Sequence, residues 1–220
     1  MQKRKAGIAL VVLGVVLLSA ALLLLLYNEE ENRQAGEAAE EGLAAVQEQI
    51  ARASSAPKAT DTPAPKEAGE SGAPGTPTPE PTYIPDMPEV RVDGQLYIGY
   101  VSIPEMGVEL PIISDWDYNK LTRAPCRQFG SLYTDDLVIA GHNYERHFGG
   151  LKDLTIGAAC TFTDMNGYAV EFALEKREII NPDEDDATER VADSGYDLVL
   201  YTCTKGGQTR VVCFFNRVVK

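Results

Sequence analysis

The chain opens with one long apolar block and continues, after a polar stretch, with short alternating ones. From Gly7 to Tyr27 no charged residue interrupts the run. As a helix rising ~1.5 Å per residue it spans roughly 30 Å, enough to cross a bilayer. Lys3, Arg4 and Lys5 precede it, and Glu29, Glu30 and Glu31 follow it. The positive flank belongs in the cytoplasm, so the C-terminal bulk is expected outside the cell. A cleaved signal peptide would have a shorter apolar core ending in a small-x-small site. Here the run ends in Leu22 to Leu26 and Tyr27, which favours a retained single-pass anchor in the cell membrane.

Beyond the anchor the pattern changes twice. Residues 28–52 are rich in Glu, Ala and Gln, which predicts a solvated helical stalk with a weak apolar stripe at Leu43, Val46 and Ile50. Residues 53–88 are dominated by Ala, Pro, Thr, Ser and Gly. Such a composition cannot bury a core and is expected to act as an extended tether. The expected organisation is a cytoplasmic tail over 1–6, a membrane helix over 7–27, a stalk and linker over 28–88, and a folded domain over 89–220. That last part, about 130 residues, is near the usual size of one domain.

Within it the apolar runs are short and strand-like: Leu96–Ile103, Val108–Ile113, Asp136–Ala140, Ala159–Asp164, Gly167–Ile180, Leu198–Cys203 and Arg210–Val219. Turn residues separate them, among them Pro104, Gly107, Gly130, Gly157, Asn166-Gly167, Asn181-Pro182 and Gly206-Gly207. About eight short strands at this spacing predict a mainly β domain, a closed barrel or a sandwich. Short helices are expected near Asp117 to Leu121 and Phe148 to Leu154.

The formal net charge of −13 argues against nucleic-acid binding, which needs a basic face. Four cysteines occur, Cys126, Cys160, Cys203 and Cys213. Their spacing suggests neither a disulfide framework nor a zinc site, so no metal or cofactor is expected. Cys160 and Cys213 read as small buried hydrophobes. Cys203 differs because it ends a strand and is followed by a turn.

If Gly206-Gly207 is a two-residue primed turn, Lys205 pairs with Gln208, Thr204 with Thr209, and Cys203 with Arg210. Directly opposed residues share a face with Cβ atoms ~5 Å apart, so the hairpin itself brings a guanidinium beside the thiol. The same register sets Cys213 opposite Leu200 and away from Cys203. An imidazole is the remaining element of an acyl-transfer kit. The chain has two histidines. His142 directly follows the run Leu137 to Ala140 and Gly141, a glycine expected to let the backbone turn and expose the ring. His147 lies deeper in a loop. His142 is therefore the preferred base.

These segments together resemble the sortase family of membrane-anchored cysteine transpeptidases, found mainly in Gram-positive bacteria. Ile98-Gly99-Tyr100-Val101-Ser102-Ile103-Pro104 through Leu110-Pro111-Ile112 is similar to the family's first barrel strands. Val138-Ile139-Ala140-Gly141-His142-Asn143 is similar to its histidine motif, and Leu200-Tyr201-Thr202-Cys203 to its T-L-x-T-C motif, with Arg210 at the place of the family arginine. The resemblance implies a closed eight-stranded β-barrel with one or two short helices and an active-site groove at one end. It implies Cys203 as nucleophile, His142 as acid and base, and Arg210 as the group that binds substrate carbonyls and the oxyanion. Thr202 and Asn143 are further candidates for contact with substrate. Thr202 also reads as plain β propensity, and Asn143 as a cap of the local turn.

The implied partners are surface proteins with a C-terminal sorting motif and an amine of a cell-wall peptidoglycan precursor. The implied reaction is transfer through a thioester. A purely hydrolytic cysteine peptidase and a non-catalytic tethered module are the competing readings. The family class stays open. The Cys203 to Arg210 loop is short, 181–195 carries no long amphipathic helix, Asp115-Trp116 lacks the position and proline of a class C lid, and no further apolar span follows Lys220. The acidic run Asp183, Glu184, Asp185 and Asp186 reads as a solvated loop rather than a Ca²⁺ site, because it lacks alternating ligand spacing.

Overall fold

The computed structural model describes residues 2–55, 86–181, 194–204 and 206–218. The acidic run 183–186 lies outside them. Helix α1 runs without a break from Gln2 to Ser55. Its first half is long and apolar enough to cross a membrane, and that stretch is unburied by the rest of the protein.

The second half of α1 corrects the solvated-stalk expectation. One face of it is buried: Ala35, Gly36, Ala39, Gly42 and Val46. This spacing of three and four residues is a single helical stripe. The stripe is made mostly of the smallest residues, so the helix backbone comes close to the barrel. The Gly42 position faces Pro111 and the Tyr97 hydroxyl, and the Gly36 position faces the Arg146 side chain. The opposite face carries exposed ion pairs from Arg33 to Glu30 and Glu37. Of the expected apolar stripe, Val46 is fully buried and Ile50 packs beside it, while Leu43 is half-buried.

The barrel strands are β1 (Val90–Val92), β2 (Gln95–Ile103), β3 (Val108–Ile113), β4 (Cys126–Phe129), β5 (Leu137–Gly141), β6 (Ala159–Asp164), β7 (Ala169–Ile180), β8 (Leu198–Cys203) and β9 (Arg210–Arg217). Their order is β1-β2-β3-β4-β5-β8-β9-β7-β6, and β6 returns to pair with β2. The ring from β2 to β6 therefore closes with eight strands, as expected, and β1 is an appendage on β2. All sheet contacts are antiparallel except β3–β4 and β5–β8. Short 3-10 turns at Lys120–Thr122 and Gly149–Asp153 lie within or beside the two segments expected to be helical.

Two strands escaped the sequence reading. β1 and β2 are joined by Asp93 and Gly94, both at positive φ, a primed turn of the Asp-Gly type. β4 is short and half-polar, and it touches β3 through a single pair, Ile113 with Cys126. The folded part also begins earlier than Val90. Met87 is buried in the main core, and the Leu132 N–H points at its sulfur at 3.4 Å.

The barrel interior is filled by alternate residues of the strands, including Ile98, Val101, Ile112, Leu137, Ile139, Phe162, Phe172, Leu198, Leu200 and Phe215. β5 is buried at every position. Leu137 and Ile139 fill the barrel, Val138 joins an outer cluster with Val199, Val212 and Phe214, and Ala140 joins a cluster that includes Val46 of α1. Burial on both faces explains why β5 and most of β8 read as continuous apolar runs rather than alternating ones.

Closure is tightest at Gly99, where β2 changes partner. Its φ is +142°, and a Cβ there would stand 2.0 Å from the Thr163 carbonyl oxygen of β6. Gly99→Ala should therefore destabilise the domain by about 3 kcal/mol or more, from strain and steric overlap together. Gly94→Ala, also at positive φ but in open space, should cost only about 1–2 kcal/mol. Equal losses in urea-unfolding midpoints for the two variants would contradict the close β2–β6 approach.

Candidate active site

β8 is the strand on which the site is assembled. On one side it pairs in parallel with β5, ending at Gly141 opposite Thr202. Cys203 follows Thr202 on β8 and His142 directly follows the end of β5, so the same register carried one residue further sets the imidazole and the thiol at the same level. Strands lie ~4.8 Å apart. On the other side β8 pairs antiparallel with β9, with Cys203 opposite Arg210 and Leu200 opposite Cys213. Both pairings match the hairpin register expected from the sequence. The turn closes through Gly207 N–H to the Thr204 carbonyl at 2.8 Å, with Gly206 and Gly207 at φ +90° and +75°. Thr204 N–H then donates to the Thr209 carbonyl, also at 2.8 Å.

Two side chains fasten the strand ends. The buried Thr202 hydroxyl donates to the Gly141 carbonyl at 2.8 Å. Asn143 donates through Nδ2 to the Thr204 carbonyl at 3.3 Å. Each bond ties the β5 end to the β8 end, directly before and after the histidine and the cysteine.

The loop after β5 is short and self-bonded. The His142 carbonyl accepts from Phe148 N–H at 3.1 Å, and the Tyr144 carbonyl accepts from His147 N–H at 3.0 Å and Gly149 N–H at 2.9 Å. Gly141 corrects an expectation. Its φ is not positive, so it does not serve as a flexible turn. A Cβ at Gly141 would lie 2.5 Å from the Phe148 ring. The absent side chain is the space in which fully buried Phe148 packs and pins the loop.

His142 is half-buried, and its Nε2 has no hydrogen-bond partner within the described protein. Tyr144 lies 4.9 Å from it and Tyr118 5.8 Å, the latter edge-on. Burial lowers its pKa, opposed by the negative charge of Glu31 on α1. His147 is wholly buried, and its Nε2 is 3.2 Å from the Ala35 carbonyl of α1. Burial pushes its pKa down to about 4. The two histidines therefore differ: His142 is half-buried with its Nε2 enclosed and unpartnered among the described residues, and His147 is fully buried in the helix–barrel joint.

Cys203 is a free, partly exposed thiol, whereas Cys126, Cys160 and Cys213 are free and buried. Burial raises the pKa of those three, to about 12 for Cys126 and Cys213. Arg210 donates through Nη1 to the carbonyls of Gly207 at 2.9 Å and Thr209 at 3.2 Å. These bonds orient the guanidinium and leave Nε and Nη2 without an acceptor among the described residues. No group of three or more potential metal ligands occurs among the described residues.

The sequence reading missed Tyr118, Tyr144 and Glu31. Tyr144 stands two residues from His142, so its proximity was readable. Tyr118 and Glu31 come from elements whose docking no local spacing reveals.

Residues 101–218 match the sequence profile of the sortase domain. The chain belongs to the sortase family. Solved sortases have the same fold. Sortase C1 of GBS pilus island 1 superimposes with a TM-score of 0.50 at 22% identity, over 59% of this chain and 67% of that one. For sortase A from Corynebacterium diphtheriae the TM-score is 0.49 at 22% identity, over 57% of this chain and 62% of that one. For sortase C1 from Streptococcus suis it is 0.48 at 22% identity, over 56% and 74%. No curated protein sequence matches this sortase.

The His147 joint gives a pH prediction. Its folded-state pKa, about 4, lies below the unfolded value of about 6.5. As pH falls the unfolded chain takes up this proton first. Stability is therefore full above about pH 6.5 and declines toward pH 4, by up to roughly 3 kcal/mol from this group. His147→Gln keeps an N–H donor for Ala35 but cannot titrate. Urea unfolding of the full chain in detergent micelles at pH 7.5 and 4.5 should give a smaller difference for the variant. An unchanged difference would mean that His147 is not buried neutral.

Proposed function

We propose that this sortase is an extracellular, membrane-anchored transpeptidase that cuts a C-terminal sorting signal and transfers the protein to a cell-wall amine. The observation that carries the reading is the double register of β8. Carried one residue beyond the Gly141–Thr202 pair, the parallel register brings His142 level with Cys203, and Arg210 lies opposite Cys203 across the antiparallel pair.

In this reading Cys203 Sγ attacks the carbonyl carbon of the scissile peptide as a thiolate. The negative tetrahedral oxygen is held by Nε and Nη2 of Arg210, which have no acceptor among the described residues, on a planar fork that stays protonated at all relevant pH. The intermediate collapses with cleavage of the C–N bond, and His142 gives its proton to the departing amine. A thioester remains on Cys203. The incoming amine attacks that thioester, His142 removes the amine proton, and the thiolate leaves. Burial lowers the pKa of His142 and so disfavours its imidazolium form. Thr202 and Asn143 act as clamps that keep the two strand ends level, with Asn143 Nδ2 beside any substrate backbone in the groove. No metal or cofactor enters any step.

The reading also draws on α1. A basic N-terminal flank and an apolar run of membrane-spanning length favour an anchored enzyme with its barrel outside the cell.

Cys203→Ala should abolish thioester formation, and His142→Ala should lower kcat/KM at least about 100-fold, as expected for lost acid–base catalysis. Arg210→Lys should lose about 10- to 100-fold because an ammonium cannot reproduce the fork. The assay is a library of sorting-type peptides with triglycine as acceptor, read by mass spectrometry. Product that never contains triglycine while hydrolysis proceeds would leave a cysteine peptidase instead. Full activity in His142→Ala with loss in His147→Gln would reverse the choice of base.

A further inference from the structure

We propose that Trp116 and Tyr118, on one rim of the catalytic mouth, sit in the headgroup layer of the membrane that α1 crosses. The proposal rests on the anchored reading of α1 and adds an orientation to it.

Three observations lead there. First, the helix has no joint. α1 is continuous from the apolar run into the docked stripe, and Tyr27 is eight residues from Ala35, about 12 Å along the axis. The barrel is therefore held close to the end of the span.

Second, the docking has a direction. The membrane-near end of the docked stripe meets the histidine loop, through the Ala35 carbonyl on His147 at 3.2 Å and Glu40 on Arg146 at 3.1 Å. The far end meets the β6–β7 turn, where Ile50 and Ser54 adjoin Gly167. Ala35 and Ser54 are about 29 Å apart along the helix. The catalytic loop thus faces the span and the β6–β7 turn points away from it.

Third, aromatic rings continue from that joint to the outer rim. His147, Tyr144, His142 and Tyr118 follow one another at centroid distances of 5.6, 4.9 and 5.8 Å. At the end of this series Tyr118 is 67% exposed and Trp116, two residues before it, is 48% exposed. Tyr27, at the end of the apolar run, is 61% exposed. Trp and Tyr have an apolar body and a polar tip and concentrate at the headgroup level. The flanking charges fix the kind of lipid. Asp115, Asp117 and Glu29 to Glu31 are acidic, and Lys120 is paired with Asp115 at 2.6 Å. Such a rim is repelled by anionic lipid, so the partner is a zwitterionic surface contacted through its rings.

Trp116 is the sole tryptophan, so the native chain carries its own probe. The full-length protein is reconstituted into phosphatidylcholine vesicles, and flotation establishes its attachment. Lipid brominated high on the acyl chain should quench Trp116 emission at least about twofold, as expected for a headgroup-level ring, and aqueous iodide should quench it less than in detergent. In Trp116→Phe/Tyr168→Trp the tryptophan moves to the exposed β6–β7 turn, and bromolipid should leave it unquenched. Floating protein with Trp116 unquenched overturns the proposal and leaves the anchor standing. Equal quenching at both positions overturns it too, because the barrel would then lie against lipid without the stated orientation. Failure to float overturns the anchored reading and this proposal together.

Discussion

Everything at the mouth depends on the register of β8. This strand has a parallel neighbour on one side and an antiparallel neighbour on the other. A slip by one residue against either would turn Cys203 to the opposite face. The slip is prevented by burial. Leu198 and Leu200 are fully enclosed in the barrel, and Val199 is enclosed on the outer face. Inverting them would put residues selected for one cavity into another of different shape. Core packing thus does the aligning, and the Thr202 and Asn143 bonds at the strand ends fix only the last fraction of the geometry.

The two histidines illustrate how burial divides labour between residues of one type. Both have pKa values lowered by desolvation. His147 has lost all contact with solvent and uses its ring to hold a helix carbonyl. A fully buried imidazole with a pKa near 4 is a poor proton carrier at neutral pH. His142 is only half-buried, lies between two tyrosines, and has its shift opposed by a carboxylate on α1. The same contrast separates Cys203 from Cys160 and Cys213, whose thiols are sealed in the core.

How much of this was legible in the sequence follows from what each feature depends on. The Cys203–Arg210 pair was readable because a glycine-rich turn fixes a hairpin locally, although the turn is closed by the Gly207–Thr204 bond rather than centred on Gly206-Gly207 as expected. His142 beside Cys203 was not, since a parallel pair needs a long crossover and leaves no short-range signal; family resemblance supplied it. β1 carried a readable Asp93-Gly94 turn, although its three residues are too few for periodicity to register. β4 is half-polar with one bridge to β3, so alternation could not reveal it. Gly141 was misread because conformational freedom and close packing leave the same letter in a sequence, and only the Phe148 ring tells them apart. The docked face of α1 was hidden because its stripe is Ala and Gly, which hydrophobicity patterns barely weight.

That docked face changes the role of the Pro- and Ala-rich segment. A tether between membrane and enzyme would let the mouth sample many heights above the bilayer. Here α1 itself reaches the barrel, and the expected tether over 56–85 lies outside the described residues. It joins two parts already in contact. Buried Val46, the close Gly42–Tyr97 approach and the His147–Ala35 bond hold the helix on the barrel. The consequence is directional. In the proposed anchored arrangement, a continuous helix and an interface of small residues fix the height and facing of the mouth by packing.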